Sequence, residues 1–402
     1  MENKKKILIV TPKFPWPVTG AAESDRVEGV KQFLRLGFDV KLIAKISESK
    51  KNLVPAVARD LGIDIFPITY KYITVNKVSK IKKYFKIFFI NPLLLDGAAY
   101  EYTDPELMAV YKHTIDSWRP DYVVFDLSYM WPLIKYAKSR GIKVITRSQN
   151  FEAEHFLQEE GKNIFNIFMY WAKLVTEFKV ARGSDLVWAI TPYDAQKYKQ
   201  IGVKKLGVLP LRGLPGVLKQ DKVISNISPL KVFFSGATYN VKHNRRGLEF
   251  ILKEIAPLAH DLFPGKFVFN ILGSKFPDDL RPYLNDNTIY IGFVDDYEAA
   301  MADMDIALVP SLSGGGMQQK VFEPLVRGIP TISSARAMAG YPFKDKEHLL
   351  LAKTAMEFVD ALDRLLDPNL RQKLSQNSLA LSRSLFSLGK IDAIVKEGLK
   401  NL

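Results

Sequence analysis

The run Val309-Pro310-Ser311-Leu312-Ser313-Gly314-Gly315-Gly316-Met317-Gln318-Gln319-Lys320-Val321-Phe322-Glu323-Pro324 gathers residue types that can hold an organic anion. Three consecutive glycines permit positive φ and carry no side-chain bulk. A strand ending at Pro310 and a helix starting near Gly316 or Met317 would aim the first helical amides at open space, a site for a phosphate or diphosphate. Lys320 then lies one turn along the helix, within reach of the same anion. Glu323 lies a further turn along the same face, where its carboxylate can accept two hydrogen bonds from a ribose diol. A flexible loop before an ordinary amphipathic helix would explain the glycines alone; Lys320 and Glu323 at these spacings favour the anion site.

A second group is Ser235-Gly236-Ala237-Thr238-Tyr239 followed by His243-Asn244-Arg245-Arg246-Gly247, at an expected strand end and helix start. Gly236 permits close approach of a ligand. Arg245 and Arg246 either form a solvated helix start or neutralise a departing diphosphate, an electrostatic role that replaces a metal. Nearer the N-terminus, the loop 11–22 carries three prolines and ends in Gly20-Ala21-Ala22. The word Arg147-Ser148-Gln149-Asn150-Phe151-Glu152 follows another expected strand. Asn150 and Glu152 there either touch acceptor hydroxyls or cap the following helix. Asp126, also at a strand end, is a further acceptor-side carboxylate. The five histidines, His113, His155, His243, His260 and His348, have no metal-ligand spacing, and His155 either lines the site or packs.

These residues need a scaffold that brings strand ends together, and the hydrophobic pattern supplies one. Strand 6–10, helix 23–36 ending at Gly37, and strand 39–46 open a doubly wound α/β sheet. Strands at 122–125, 142–146 and 186–190 continue it, with helices expected over 129–140, 151–182 and 192–200. Residues 206–230 read as a linker. A second series follows, with strands near 231–235, 267–272, 288–291, 305–309 and 329–333. Helices are then expected over 354–366, 368–385 and 389–400. The reading is two domains, 1–210 and 211–380, with 381–402 crossing back to the first, and a ligand cleft at the carboxyl ends of the strands.

A chain of 402 residues, 47% apolar and 25% charged, can bury two such cores. It has no cysteine, which excludes disulfides, thiolate metal sites and cysteine nucleophiles. Met1-Glu2-Asn3-Lys4-Lys5-Lys6 precedes only four apolar residues, too few for a signal peptide. The most apolar stretches, 84–95 and 164–175, are interrupted by Lys86 and Asn91 and by Asn166 and Lys173, so neither is expected to span a bilayer. A cytoplasmic protein is the expectation. The net charge of +14 favours phosphorylated small molecules, anionic lipid or nucleic acid, but no nucleic-acid-reading motif is present. Residues 77–89, Lys-Val-Ser-Lys-Ile-Lys-Lys-Tyr-Phe-Lys-Ile-Phe-Phe, read as a basic amphipathic helix, either a core helix with a solvated back or a contact for an anionic membrane.

The run Ile271–Ser334 resembles retaining family 4 (group 1) glycosyltransferases of the GT-B fold. It carries Leu272-Gly273-Ser274, Ile291-Gly292-Phe293-Val294-Asp295-Asp296, Val309-Pro310, the glycine turn, Lys320-Val321-Phe322-Glu323 and Gly328-Ile329-Pro330-Thr331 in that family's order. The resemblance is strong over 230–385 and weaker before. It implies two Rossmann-like domains facing across a cleft and a nucleotide diphosphate sugar, UDP- or GDP-linked, held by the second domain without a metal or other cofactor. It further implies a glycan or polyprenyl-linked acceptor, a role in bacterial surface polysaccharide synthesis, and peripheral docking at the membrane. Arg246, Lys320 and Glu323 take the catalytic positions. Gly20, Gly236, Asn244, Arg245, Gly314, Gly315, Gly316, Met317 and Gln318 join Glu323 around the donor; Asp126, Gln149, Asn150 and Glu152 lie on the acceptor side. Two positions depart from the pattern. Gly315 stands where many members have a second, sugar-binding glutamate, and Gln149 where a histidine often precedes the asparagine. A sugar-nucleotide epimerase of similar fold, and a non-catalytic basic protein binding membrane or nucleic acid, are the alternatives. The first would need acid–base carboxylates and histidines that the sequence does not convincingly supply. The second would concentrate its charge in a tail or stripe, whereas lysines are spread over both halves.

Overall fold

The alternation of apolar strands and helices builds two parallel sheets in a computed structural model that describes residues 4–70, 98–218, 221–294 and 296–402. The basic segment 77–89 and Asp295 lie outside the described residues. The chain divides into two compact units, Met1–Arg212 with Asp392–Leu402, and Gly213–Ile391.

The first unit has seven parallel strands: β1 (Lys6–Thr11), β2 (Asp39–Ile46), β3 (Asp64–Thr69), β4 (Tyr122–Phe125), β5 (Lys143–Ser148), β6 (Leu186–Ala189) and β7 (Leu206–Val208), in the order β3-β2-β1-β4-β5-β6-β7. Helices cover both faces, which is why the central strands are apolar without alternation. Helix α1 (Ala21–Arg35) ends before Gly37, whose φ of +88° makes it the turn residue expected there. Helix α2 (Pro105–Trp118) packs Leu107, Tyr111 and Ile115 against Leu8, Val10, Val123 and Phe125. Asp104 starts α2 by accepting from the amides of Glu106 and Leu107, and its carboxylate also meets the buried Lys45 ammonium.

Several sequence expectations are corrected. β3 and α2 have no counterpart in the sequence reading, and β7 lies inside the stretch read as linker. The helix expected over 151–182 is two: α3 (Glu152–Glu160) and α4 (Ile164–Gly183). Gly161, at φ +82°, ends the first, and Asn163 caps the second by accepting from the Asn166 amide. The helix expected over 129–140 opens as a 3₁₀ turn, Ser128–Leu133, around Pro132 before becoming α-helical at Ile134.

The second unit has six parallel strands: β8 (Leu230–Thr238), β9 (Phe267–Ser274), β10 (Thr288–Gly292), β11 (Ile306–Val309), β12 (Thr331–Ser333) and β13 (Leu350–Leu351), in the order β10-β9-β8-β11-β12-β13. The ends of β8 and β9 touch where a side chain cannot stand: a Cβ on Gly273, at φ +134°, would lie 1.8 Å from the Gly236 carbonyl oxygen. In each sheet the chain reverses its winding direction beside the first strand, between β1 and β4 and between β8 and β11, where the carboxyl ends of open sheets bind ligands. The last helix, Leu388–Lys400, carries Asp392, which takes three hydrogen bonds from Gln32 and Arg35 at 2.7–2.9 Å. No helix among the described residues is long and apolar enough to cross a membrane.

One buried charge cluster holds the first unit's strand ends. Asp25 on α1 is fully buried and accepts from the Arg147 side chain at 3.3 Å and from the Arg212 amide and guanidinium at 2.9 and 3.0 Å. Burial alone would raise the Asp25 pKa; the charges of Arg147 and Arg212 outweigh it and hold the carboxyl well below the usual range. Its stabilising contribution is therefore present above the unfolded carboxylate pKa and lost only as pH falls through the lower folded value. Asp25→Asn leaves two buried guanidiniums under-compensated and is expected to destabilise the protein by about 3–5 kcal/mol in a urea melt. Gly273→Ala is expected to cost about 1–3 kcal/mol from backbone strain alone, before the clash with Gly236 is counted.

Candidate active site

The turn between β11 and helix α7 (Gln319–Val326) forms at the switch point of the second sheet. Two of its three glycines use left-handed backbone, Gly314 at φ +100° and Gly316 at φ +63°. That conformation cannot continue into a helix, so α7 begins at Gln319, not at the expected Gly316 or Met317. Gly314, Gly315, Gly316 and Met317 therefore belong to the loop, and the first helical amides are those of residues 319–321. Gln318 is the N-cap, yet its side chain makes no bond to the first turn. It closes the loop instead: the Ser311 hydroxyl donates to Gln318 Oε1 at 2.9 Å, and Gln318 Nε2 donates to the Ser313 carbonyl at 3.2 Å. A staple formed by Gln318 was not foreseen for a residue expected to touch donor.

α7 is amphipathic in the way its role needs. Val321, Phe322, Leu325 and Val326 are buried, with Phe322 in edge contact with Tyr341, Phe343 and Phe386. Gln319, Lys320 and Glu323 occupy another face. The Lys320 ammonium donates to Asn244 Oδ1 at 2.9 Å and lies over the Phe234 ring at 5.5 Å. Asn244 is itself fixed, its Nδ2 donating to the Thr238 carbonyl at 3.0 Å. A Cβ on Gly236 would meet the Tyr239 ring at 2.9 Å and Asn244 at 3.4 Å. Gly236, Asn244 and Lys320 are thus one assembly at the β8 end.

The two arginines of helix α5 (Lys242–Phe250) part company. Arg246 donates to Ser313 Oγ at 3.2 Å, beside the glycine turn. Arg245 turns to Glu249 and Asp279, at 3.0 and 2.6 Å, on the outer surface. The structure brings Arg246 to the turn and ties Arg245 to carboxylates.

Glu323 is buried, and its carboxylate is held on both oxygens. Arg327 donates twice to Oε1, at 2.8 and 3.1 Å, and Gln319 Nε2 donates to Oε2 at 2.7 Å. Arg327 reaches on to Glu298, at 2.5 Å, on helix α6 (Tyr297–Ala302). Burial, with the Glu323 charge nearby, pushes the Tyr297 phenol up and keeps it protonated. Arg327 and Tyr297 escaped the sequence reading, and Gln319 and Ser235 stand in the quoted runs without a role of their own. Arg327 had a signal, since it stands four residues after Glu323 on a helix.

In the first unit, Gly20 is the extended N-cap of α1, with Glu23 and Lys13 paired beside it. Asp126 is buried and committed: Arg26 donates to Oδ2 at 2.7 Å and the Thr11 hydroxyl at 3.1 Å. Gln149 accepts from Arg26 at 3.3 Å, which joins it to the same switch-point cluster. Asn150 Nδ2 donates to Glu152 Oε1 at 3.2 Å; Glu152 is buried and also accepts from the Tyr129 hydroxyl at 2.8 Å. The capping alternative fails for both residues, because Phe151 is the N-cap of α3 and the first amide of that helix, Glu152 N–H, donates to the Glu177 carboxylate at 2.8 Å.

Against known structures the whole chain aligns with glycosyltransferases of the GT-B fold. HepE from Anabaena, in complex with UDP, is 14% identical, with a TM-score of 0.66 and 99% of this chain and 100% of that chain covered. Sucrose-phosphate synthase from Thermosynechococcus elongatus is 14% identical, with a TM-score of 0.70 and 99% of each chain covered. TarM, from S. aureus, is 9% identical, with a TM-score of 0.69 and 99% of each covered. No curated protein matches the sequence. Residues 229–368 match the family model described as glycosyl transferases group 1. The turn, the Lys320 assembly and the held Glu323 all fall inside that match, and the second unit is a group 1 glycosyltransferase domain in a chain of GT-B fold.

Proposed function

We propose that this protein transfers a sugar, with retention, from a UDP- or GDP-linked donor to a glycan or polyprenyl-linked acceptor in bacterial surface polysaccharide synthesis. The observation that carries the donor side is the clustering of Arg246, Lys320 and a rigidly held Glu323 around one glycine turn. Glu323 Oε2, which accepts only from Gln319 among the bonds described here, has lone-pair capacity for a ribose hydroxyl. Arg246 and Lys320 face the diphosphate. The bond from the anomeric carbon to the β-phosphate oxygen breaks, the acceptor oxygen bonds to that carbon on the same face, and its proton leaves with the phosphate. Two cations stabilise the departing charge, the work a metal would otherwise perform. Gly20, Gly236 and Asn244 line the donor, with the loop Gly314–Met317 close to its phosphates. Arg245, paired with Glu249 and Asp279, adds at most long-range positive charge to the donor side. Gln149 and Asn150 serve the acceptor directly, while Asp126 and Glu152 position them.

The neighbours support a nucleotide sugar as donor: HepE has been captured with UDP, with UDP and glucose, and with UDP-glucose. A mutant form of S. aureus TarM has been captured with fondaparinux, α-GlcNAc-glycerol and UDP, which supports a glycan-like acceptor. Contact with an anionic membrane through 77–89 rests on the sequence alone.

UDP or GDP at about a hundred times its dissociation constant is expected to stabilise the protein by roughly 2.7 kcal/mol, read as a rise in Tm. If neither diphosphate nor any UDP- or GDP-sugar shifts the melt, the donor site is misassigned. Lys320→Ala is expected to lower kcat by about 10²–10³-fold; unchanged turnover would remove Lys320 from the chemistry. Arg327→Met leaves Glu323 buried without its closest cation, and is expected to cost about 3–5 kcal/mol in stability and to weaken nucleotide binding in calorimetry. Arg327→Lys should recover only part of both, since an ammonium cannot reproduce the two-bond grip.

A further inference from the structure

Helix α4 is built inside out over its first turns. Ile164 is 89% exposed, Phe165 63%, Trp171 59%, Phe168 53% and Ile167 47%. The inward face of the same helix mixes polar and apolar groups: Asn166, Lys173, Thr176 and Glu177 are buried there beside Met169, Val180 and Ala181. Each inward group for which bonds are described is satisfied. Asn166 Nδ2 donates to the carbonyls of Glu160 and Gly161, Lys173 to the Tyr129 hydroxyl, and Glu177 accepts from the Glu152 amide and the Tyr198 hydroxyl. The helix is therefore anchored by hydrogen bonds as well as by the packing of Met169, Tyr170, Leu174 and Val180, and five apolar side chains of its first turns are still left outside. Single exposed apolar residues are ordinary, but five within eight positions of one helix form a contiguous patch that marks an interaction surface.

Charge selects the partner. Across 161–183 the only acidic residue is Glu177, which is buried, while the exposed charges, Lys162, Lys179 and Arg182, are all positive. At 100° per residue, Ile164, Phe168, Trp171 and Arg182 fall on one stripe, flanked by Phe165 and Lys179. Lys162 stands before the apolar patch, and Lys179 and Arg182 follow it. Aromatic and aliphatic residues bracketed by cations suit a helix lying in the interface of an anionic bilayer, with its apolar side at the acyl boundary and its cations among the headgroups. We propose that Ile164, Phe165, Ile167, Phe168 and Trp171 dock this protein on an anionic lipid surface. The inference extends the membrane contact proposed from 77–89 to a second surface and is independent of the donor site.

The test uses the full chain with vesicles of phosphatidylcholine, alone or mixed with phosphatidylglycerol. Wild type is expected to co-sediment with the mixed vesicles, and its fluorescence to shift to the blue as Trp171 leaves water. The variant Phe165→Ser/Phe168→Ser/Trp171→Ser is expected to bind the mixed vesicles roughly tenfold or more weakly and to lose the blue shift. Lys162→Glu/Lys179→Glu should lose about fivefold for each lysine on the mixed vesicles only. All these positions are exposed, so both variants should keep the wild-type melting curve and bind UDP or GDP as wild type does; a loss of nucleotide binding in wild type would count against the donor site and not against this surface. Equal sedimentation of wild type and the serine variant overturns the proposal. So does a dimer, seen by light scattering, that the serine variant dissociates, since a second copy would then cover the patch.

Discussion

A carboxylate withdrawn from water at the end of a parallel sheet survives only with a partner, and for Glu323 that partner is Arg327. The rest of the candidate donor site depends on this pair. Two bonds from one guanidinium orient the carboxylate, and the link onward to Glu298 ties α7 to α6. With Glu323 fixed, α7 has one rotation about its axis, and that rotation places Lys320 against Asn244 and over Phe234. The buried aromatic contacts of Phe322 secure the helix from its other side. A cation and an anion one helical turn apart are thereby presented from one rigid element, the arrangement a site needs if its geometry is to persist between turnovers.

The backbone imposes the second constraint. β8 and β9 approach so closely at their ends that Gly273 admits no side chain against Gly236. The glycine turn after β11 is closed by Gln318, whose side chain bonds the loop and not the first turn of α7. Both features lie where the winding of the sheet reverses. The first unit repeats the logic with different chemistry: at its reversal point the acids Asp25 and Asp126 are locked to Arg26, Arg147 and Arg212, so this cluster serves architecture before recognition.

Much of the site was legible in the sequence because its signals are local. Gly314, Gly316, Lys320 and Glu323 sit within ten residues of one another, and helical spacing relates the last two. The strands could be read because buried parallel strands are continuously apolar. What escaped was either short or non-local. β13 has two residues and β7 three, too few for any period. The break between α3 and α4 turns on Gly161 and Asn163 inside an otherwise helical run. The different fates of Arg245 and Arg246 depend on Asp279 and Ser313, more than thirty and sixty residues away, which no window on the sequence contains. The exposure of Phe165, Phe168 and Trp171 was likewise hidden, since an apolar run of that composition reads equally well as core.

The account is tested most directly by determining the structure of crystals soaked with UDP or GDP. It predicts ribose hydroxyls within hydrogen-bond distance of the Glu323 carboxylate, with Arg327 still in place, and phosphate oxygens facing Lys320 and Arg246. A nucleotide bound elsewhere, or bound here with its ribose turned away from Glu323, would contradict it.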